Sequence, residues 1–301
     1  MTGFVQSKIE LERDVQNELL NWKNKRHHTV LQIEGPWHVG KTHEVKKFVY
    51  SHYKQVVYVN LVRDEYGFED LMLTDHFMRE YCRNAGIGEY VDDESTVLVI
   101  DEIQERANVY NAIRDLREQL GCDIIVSGSY LARTVNSRDF FLPAGIAYLQ
   151  MYPLSFKEFC RALNIEDILE TISLKSESKD EDYQKLEEAY QVYRKIGGYP
   201  QVVTTFIESR QIDDCMVVLE DLIRTFTAES SRFFTNSTAL SIFQGAYKAV
   251  LVQTAEEKKE TGKTFLEFVT NFVKDTVKEP VSRNEVRTVA SWLLYSGIIG
   301  Y

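Results

Sequence analysis

Lys41 and Thr42 close the stretch Gly35-Pro36-Trp37-His38-Val39-Gly40-Lys41-Thr42, whose residue types suit the binding of a polyphosphate. Gly35 and Gly40 allow a tight turn, Lys41 can reach the β- and γ-phosphates, and the Thr42 hydroxyl can ligate Mg²⁺. The backbone of the loop, including Val39 and His43, would wrap the anion together with the N-terminus of the helix that follows. A second group fits the same chemistry. Val97-Leu98-Val99-Ile100 runs into Asp101-Glu102, an apolar strand ending in two acids, the form of a Walker B motif. Asp101 would hold Mg²⁺ through water, and Glu102 would polarise the water that attacks the γ-phosphorus. A further apolar run ends in Ser127-Gly128-Ser129, which reads equally as a turn or as a polar sensor of the γ-phosphate. No Asn-Lys-x-Asp sequence follows the loop, so ATP is expected over a guanine nucleotide.

These groups need strands that stop at one edge of a sheet. The apolar runs Val30–Ile33, Val56–Leu61, Thr96–Ile100 and Asp123–Ser127 are rich in β-branched residues and lack alternation, as strands buried on both faces do. Between them, Val45, Phe48, Val49 and Tyr53 form one helical face, and Ala112, Leu116 and Leu120 another, with Gly121 expected to close it at the C′ position. Strands alternating with helices give a parallel sheet covered on both faces. Ala147 to Met151 reads as its last strand. Upstream, Ile9, Val15, Leu19, Leu20 and Trp22 have near-helical spacing and lead into the basic cluster Lys23, Lys25, Arg26, His27 and His28. That cluster suits a solvated helix C-terminus, with contact to nucleotide or nucleic acid as the other reading.

Beyond Pro153 the pattern is helical. Ser155-Phe156-Lys157-Glu158 is a capping box and starts a helix. The first half of Lys175–Glu188 reads as an acidic loop, and later helical faces appear at Leu186–Tyr193, Cys215–Phe226, Ile242–Val250 and Phe265–Val273. A second capping box, Ser282-Arg283-Asn284-Glu285, opens a short helix that Gly297 closes before Ile298-Ile299, an order that looks like the second helix and first wing strand of a winged helix. The sequence stops at Tyr301, where a wing would continue, so a longer natural chain is expected. The expected division is a P-loop ATPase domain at 1–160, a helical lid at 161–235 and a partial winged-helix segment at 236–301.

With 301 residues and 44% hydrophobic content, the chain can bury more than one domain. A formal charge of −11 argues against a surface that coats nucleic acid, though a local basic face would be hidden in that sum. Cys82, Cys122, Cys160 and Cys215 are far apart and suggest buried or free thiols in a reducing cytoplasm. Neither a signal peptide nor a membrane span is apparent, so a cytoplasmic protein is expected.

The motifs Leu31–Thr42, Val56–Asn60, Ile100–Glu105, Ile125–Ser129, Tyr152–Phe159 and Gly197–Val203 occur in an order that resembles the prokaryotic AAA-type ATPases whose ATPase domain precedes a C-terminal domain of unknown function, often with winged-helix and nuclease-like parts. The resemblance implies an ATPase using ATP and Mg²⁺, with Gly197, Gly198 and Pro200 opening a helical lid and Pro200 against adenine; a helix C-cap followed by a stop fits those residues nearly as well. It implies a DNA or protein partner through the C-terminal region and leaves oligomeric state open. The chain departs from the family in two places. Trp37 stands where an arginine is frequent, and Ala144-Gly145-Ile146 replaces a Gly-Arg or Gly-Lys pair, which leaves Arg133 and Arg138 as substitute arginine fingers. Glu229 and Arg232 match an acidic and basic pair without an assigned role. Three functions follow: an ATPase coupling nucleotide state to an effector, a nucleotide-gated binding module with negligible turnover, and, last, a small-acceptor P-loop kinase.

Overall fold

A computed structural model describes residues 9–25, 29–129, 139–141, 145–173, 177–230, 241–249, 265–277 and 280–295. Five of the apolar runs are strands: β1 (Val30–Glu34), β2 (Gln55–Asn60), β3 (Thr96–Asp101), β4 (Asp123–Ser127) and β5 (Ile146–Gln150). They form one sheet in the order β2-β3-β4-β1-β5, and every pairing is parallel. β4 therefore lies between the loop strand β1 and the acid-bearing strand β3. Every residue of β3 and β4 is buried, which explains their unbroken apolar character.

Successive side chains along each strand enter opposite cores. Val57, Val59, Leu98, Ile100, Ile124 and Val126 pack with Phe68, Tyr81 and Tyr110. These come from α3 (Phe68–Leu71), α4 (Phe77–Asn84) and α5 (Ala107–Asn111), with α6 (Ile113–Gln119) on the same face. Leu31, Ile33, Val97, Val99 and Ile125 pack with Leu19, Phe48 and Val49, from α1 (Val15–Lys23) and α2 (Lys41–His52), on the other. All four cysteines are free and buried within these cores or the helices beyond.

Three local expectations change. Leu20 is partly exposed and leaves the buried stripe of α1 to Val15, Leu19 and Trp22. Gly121 takes the C′ place after the Leu120 C-cap of α6, as expected, but without left-handed backbone; its N–H bonds Asp92 Oδ1 at 2.8 Å, and a Cβ would stand 3.0 Å from the Asp92 carbonyl oxygen. The basic cluster is not simply a wet helix end, because Lys23 lies 3.5 Å from the centre of the Tyr53 ring and 3.8 Å from buried Asp123. Arg26, His27 and His28 lie outside the described residues.

Beyond the sheet come α7 (Phe156–Ala162), α8 (Glu166–Thr171), α9 (Asp180–Ile196), α10 (Pro200–Ser209) and α11 (Ile212–Ser230). The acidic segment is helical from Asp180, since three acids in the first turn complement the positive end of the α9 dipole. The chain divides into two compact units, Met1–Val218 and Leu219–Tyr301, with the boundary inside α11. In the second unit, residues 241–249 and the helices Phe265–Thr276 and Arg283–Tyr295 are described, and the Ser282–Glu285 capping box is formed. The expected wing residues Ile298 and Ile299 lie outside the described residues. Among those described, no helix is long and apolar enough to cross a membrane.

Candidate functional site: a loop, a carboxylate and the ends of three strands

β1 delivers the chain to Gly35 beneath the end of β5, where a Cβ would fall 2.2 Å from the Met151 carbonyl oxygen, so only glycine passes. The loop then turns through left-handed backbone at His38 (φ 63°) and Gly40 (φ 95°), the alternation that builds a nest of N–H groups for an anion. Gly40 is the N-cap of α2, so the loop opens directly on a helix N-terminus. Val39 is fully buried and anchors the loop, Trp37 is partly buried, and His38 and His43 are exposed.

The Lys41 ammonium is folded back onto the loop, donating to the carbonyls of Gly35 at 2.8 Å and Pro36 at 2.7 Å. It is a buried cation, and burial lowers its pKa from 10.5 to about 8 against the pull of Glu102 and Asp101. The carbonyls hold it where phosphate oxygens would otherwise draw it.

Asp101, at the tip of β3, is buried and accepts from every side. Oδ2 takes the hydroxyls of Thr42 at 2.9 Å and Tyr58 at 2.5 Å, and Oδ1 takes the Ser127 hydroxyl at 2.6 Å and the Glu102 N–H at 3.1 Å. Ser127 is in register with Asp101 across β3 and β4, so the strand order alone brings these two together. Glu102 follows in left-handed backbone (φ 58°) and is held by Gln104 Nε2 at 2.5 Å. Burial is the main cause that raises its pKa above the usual carboxylate value.

Oxygen donors on Thr42 and Asp101 fit Mg²⁺, which takes one or two protein ligands and completes its shell with phosphate and water. The residues therefore suit the ion that the loop implies.

Pro200, at the first turn of α10, reaches the loop: a Cβ on Gly40 would be 3.8 Å from Pro200 Cγ. Between them opens a cleft of about 360 Å³ lined by Leu11, Arg13, Gly40, His43, Pro200 and Thr204. Gly198 places α10 by contact with the Pro153 motif. Its carbonyl accepts from Leu154 N–H at 2.6 Å, and a Cβ would sit 2.1 Å from Leu154 O.

Arg13 was invisible to motif reasoning. Its guanidinium is buried, bonds Glu158 Oε1 at 2.9 Å, and donates to the carbonyls of Val39 at 3.1 Å and Tyr152 at 2.8 Å. Glu158 belongs to a capping box that formed as expected, and it also accepts the Asp14 N–H. Burial works against its charge, yet the N–H groups of Ser155 and Asp14 and the Arg13 cation hold its carboxyl below the usual range. The only sequence signal for Arg13 is a charge set between Leu11 and Val15, which many solvated arginines share.

Lys41, Thr42, Asp101, Glu102 and Ser127 are thus brought together, and Gly35, Val39, Gly40, His43 and Pro200 frame them. Arg133 and Arg138 lie outside the described residues, as does Arg232, the expected partner of Glu229 on α11.

An uncharacterised protein of Haemophilus influenzae is 29% identical over 110 residues, which cover 36% of this chain and 24% of that relative's length. The match thus spans about a quarter of the curated relative. Among solved structures, the Walker-type ATPase of Pyrococcus abyssi matches with a TM-score of 0.48 at 13% identity, over 94% of this chain and 96% of that one. The Orc1 protein of Aeropyrum pernix, in complex with DNA, matches with a TM-score of 0.38 at 13% identity over 99% and 86% of the two chains. The RuvB Holliday junction branch migration motor of Thermotoga maritima matches at 0.39 and 14% identity over 87% and 88%. Residues 27–160, which hold all five strands and the loop, match the family model described as an AAA domain.

Proposed function

We propose that the chain binds ATP with Mg²⁺ at the Gly35–Thr42 loop and hydrolyses it, coupling nucleotide state to its C-terminal residues. The observation that carries this reading is the convergence of Thr42, Ser127 and the Glu102 N–H on one buried carboxylate, beside a lysine parked on the loop carbonyls. In the reaction, Lys41 leaves those carbonyls for the β- and γ-phosphates, and Thr42 and Asp101 would hold the ion. Mg²⁺ would supply charge neutralisation at the phosphates. Glu102 takes the proton of the attacking water, and Ser127, kept on Asp101, stands near the γ-phosphate as its sensor. The base occupies the cleft between Gly40 and Pro200, so that α10 acts as a lid.

On this reading the chain comprises an ATPase domain at 1–160, a helical lid at 161–235 and a winged-helix-like segment at 236–301 that engages DNA or protein. It works in the cytoplasm, and an arginine finger comes from Arg133 or Arg138.

One feature favours a binding module with little turnover. Gln104 already holds the carboxylate of Glu102, and a base tied to an amide must be freed before it can polarise water. Comparing wild type with Glu102→Gln, in both binding and turnover of MgATP, separates the two. Hydrolysis predicts retained binding and a loss of turnover of about 10² or more in the variant. Wild type that binds MgATP yet turns over no faster than Glu102→Gln leaves only the module.

A further inference from the structure

A carboxylate offers about four acceptor positions, two on each oxygen. All four on Asp101 are filled by protein: Thr42 and Tyr58 on Oδ2, Ser127 and the Glu102 N–H on Oδ1. A hydrated ion that Asp101 holds through water needs one of those positions. Thr42 need not leave, because its hydroxyl has lone pairs for the ion while its proton stays on Oδ2. The Glu102 N–H is backbone and fixed. The choice lies between Tyr58 and Ser127.

Geometry selects Tyr58. An ion on Thr42 Oγ presents its waters to the oxygen that Thr42 already faces, Oδ2, and Tyr58 is the other donor there. Ser127 is fully buried at the tip of the central strand β4, whereas Tyr58 is only partly buried on the edge strand β2 and has solvent into which to turn. Its ring lies under the Lys46 ammonium at 4.2 Å, so the ring, though not the hydroxyl, has a contact independent of Asp101.

We infer that Tyr58 is a positioning residue that acts through Asp101: its hydroxyl occupies the acceptor that a Mg²⁺-bound water requires, and its displacement sets the Mg²⁺ concentration at which nucleotide binds tightly. This rests on the nucleotide reading above and adds to it a residue that tunes the ion rather than the phosphates. The same hydroxyl fills the fourth acceptor position of the buried carboxylate when no ion is present.

Fluorescent ribose-labelled ADP, titrated onto wild type and Tyr58→Phe at fixed protein and increasing Mg²⁺, tests the inference. Removing the hydroxyl leaves the ring under Lys46 and should lower the Mg²⁺ concentration for half-maximal binding by about tenfold, because one charge-assisted hydrogen bond no longer has to break. Affinity for the same probe in excess EDTA should be unchanged, a split that general loosening of the strand would not produce. As a second measurement, adding MgADP to wild type should perturb the tyrosine ultraviolet spectrum, and part of that change should be missing from Tyr58→Phe. A Mg²⁺ requirement that is equal or higher in Tyr58→Phe overturns the inference while leaving the nucleotide site intact. Wild type that fails to bind the probe at any Mg²⁺ concentration overturns the nucleotide reading, and the inference with it.

Discussion

Lys41 gives the sharpest quantitative test, because the folded protein keeps a cation where water cannot reach it. Its pKa falls from 10.5 to about 8, with burial as the largest cause. At pH 7 the lysine is protonated in both folded and unfolded chains, and the folded chain bears the cost of burying the charge. That cost is roughly 3 kcal/mol at 1.36 kcal/mol for each pH unit between the two values. Between about pH 8 and 10.5 the folded chain binds fewer protons than the unfolded one, so stability rises with pH across that window. The direction is opposite to that of a lysine with a raised pKa. Lys41→Met keeps the length of the side chain and removes the titration.

The assay is urea unfolding of wild type and Lys41→Met at a series of pH values without nucleotide. Other tyrosines and lysines titrate at alkaline pH, but they are common to both proteins and cancel in the difference. The stability of wild type relative to the variant should be flat below pH 7 and should have grown by about 2 kcal/mol near pH 9.5. A second arm uses the same constant. Nucleotide phosphates favour charged Lys41, so ADP binding should take up a proton above about pH 8 and weaken by about tenfold for each further pH unit, a dependence absent from Lys41→Met. A stability difference that is level from pH 7 to 9.5 would refute the reasoning, since a lysine already exposed to water has nothing to gain from losing its proton.

Glu102→Gln should retain ATP binding and lose turnover, as argued above; in wild type the acidic limb of turnover should lie above the usual carboxylate range, because burial raises the Glu102 pKa and the base must be ionised to act. Tyr58→Phe should lower the Mg²⁺ concentration needed for half-maximal binding of labelled ADP, by about tenfold. Gly198→Ala would drive a Cβ to 2.1 Å from the Leu154 carbonyl oxygen, so it should cost several kcal/mol in urea unfolding, on the order of 3 or more, or separate α10 from the Pro153 motif and weaken ADP binding. Arg13→Met leaves the Glu158 carboxylate buried without its cation and should cost about 3–5 kcal/mol at pH 7. Because the Glu158 pKa is depressed, that loss should be full above pH 4.5 and shrink as acid protonates the carboxylate in both proteins.

What the sequence made legible was what acts locally. The loop Gly35–Thr42, the strand tip at Asp101 and the two capping boxes each carry their meaning within about eight residues, and each formed in place. Ser127 was ambiguous alone, because a Ser-Gly-Ser turn and a sensor have the same letters; what the strand order adds is position, since β4 lies between β1 and β3 and Ser127 is in register with Asp101. Tyr58 reads as one more aromatic in a buried strand, and nothing in Val56–Asn60 tells a core ring from one whose hydroxyl meets an acid 43 positions away. Arg13 is harder still, since its partner Glu158 lies 145 residues on. Gly121 shows a different gap: it does stand at C′, but without left-handed backbone, and the crowding by the Asp92 carbonyl at 3.0 Å is a tertiary fact that the local sequence does not show.

The long-range residues explain why the Pro153 and Gly197 motifs accompany a phosphate loop at all. Leu154 donates its N–H to the Gly198 carbonyl and accepts the Tyr193 hydroxyl at 2.7 Å, which ties the end of α9 and the start of α10 to the segment leaving β5. One residue on, Ser155 begins the capping box whose Glu158 grips Arg13, and Arg13 in turn holds the Val39 carbonyl inside the loop. Loop, N-terminal arm and α10 are therefore joined by contiguous hydrogen bonds through buried groups, where an unpaired partner is costly. A nucleotide that draws Lys41 off the Gly35 and Pro36 carbonyls changes one end of this network, and Pro200 stands at the other end, 3.8 Å from where a Gly40 side chain would begin. Because both ends face one cleft, a ligand in it can bias loop and helix together without a long pathway, and the coupling is testable as non-additivity between Arg13→Met and Pro200→Ala in ADP affinity.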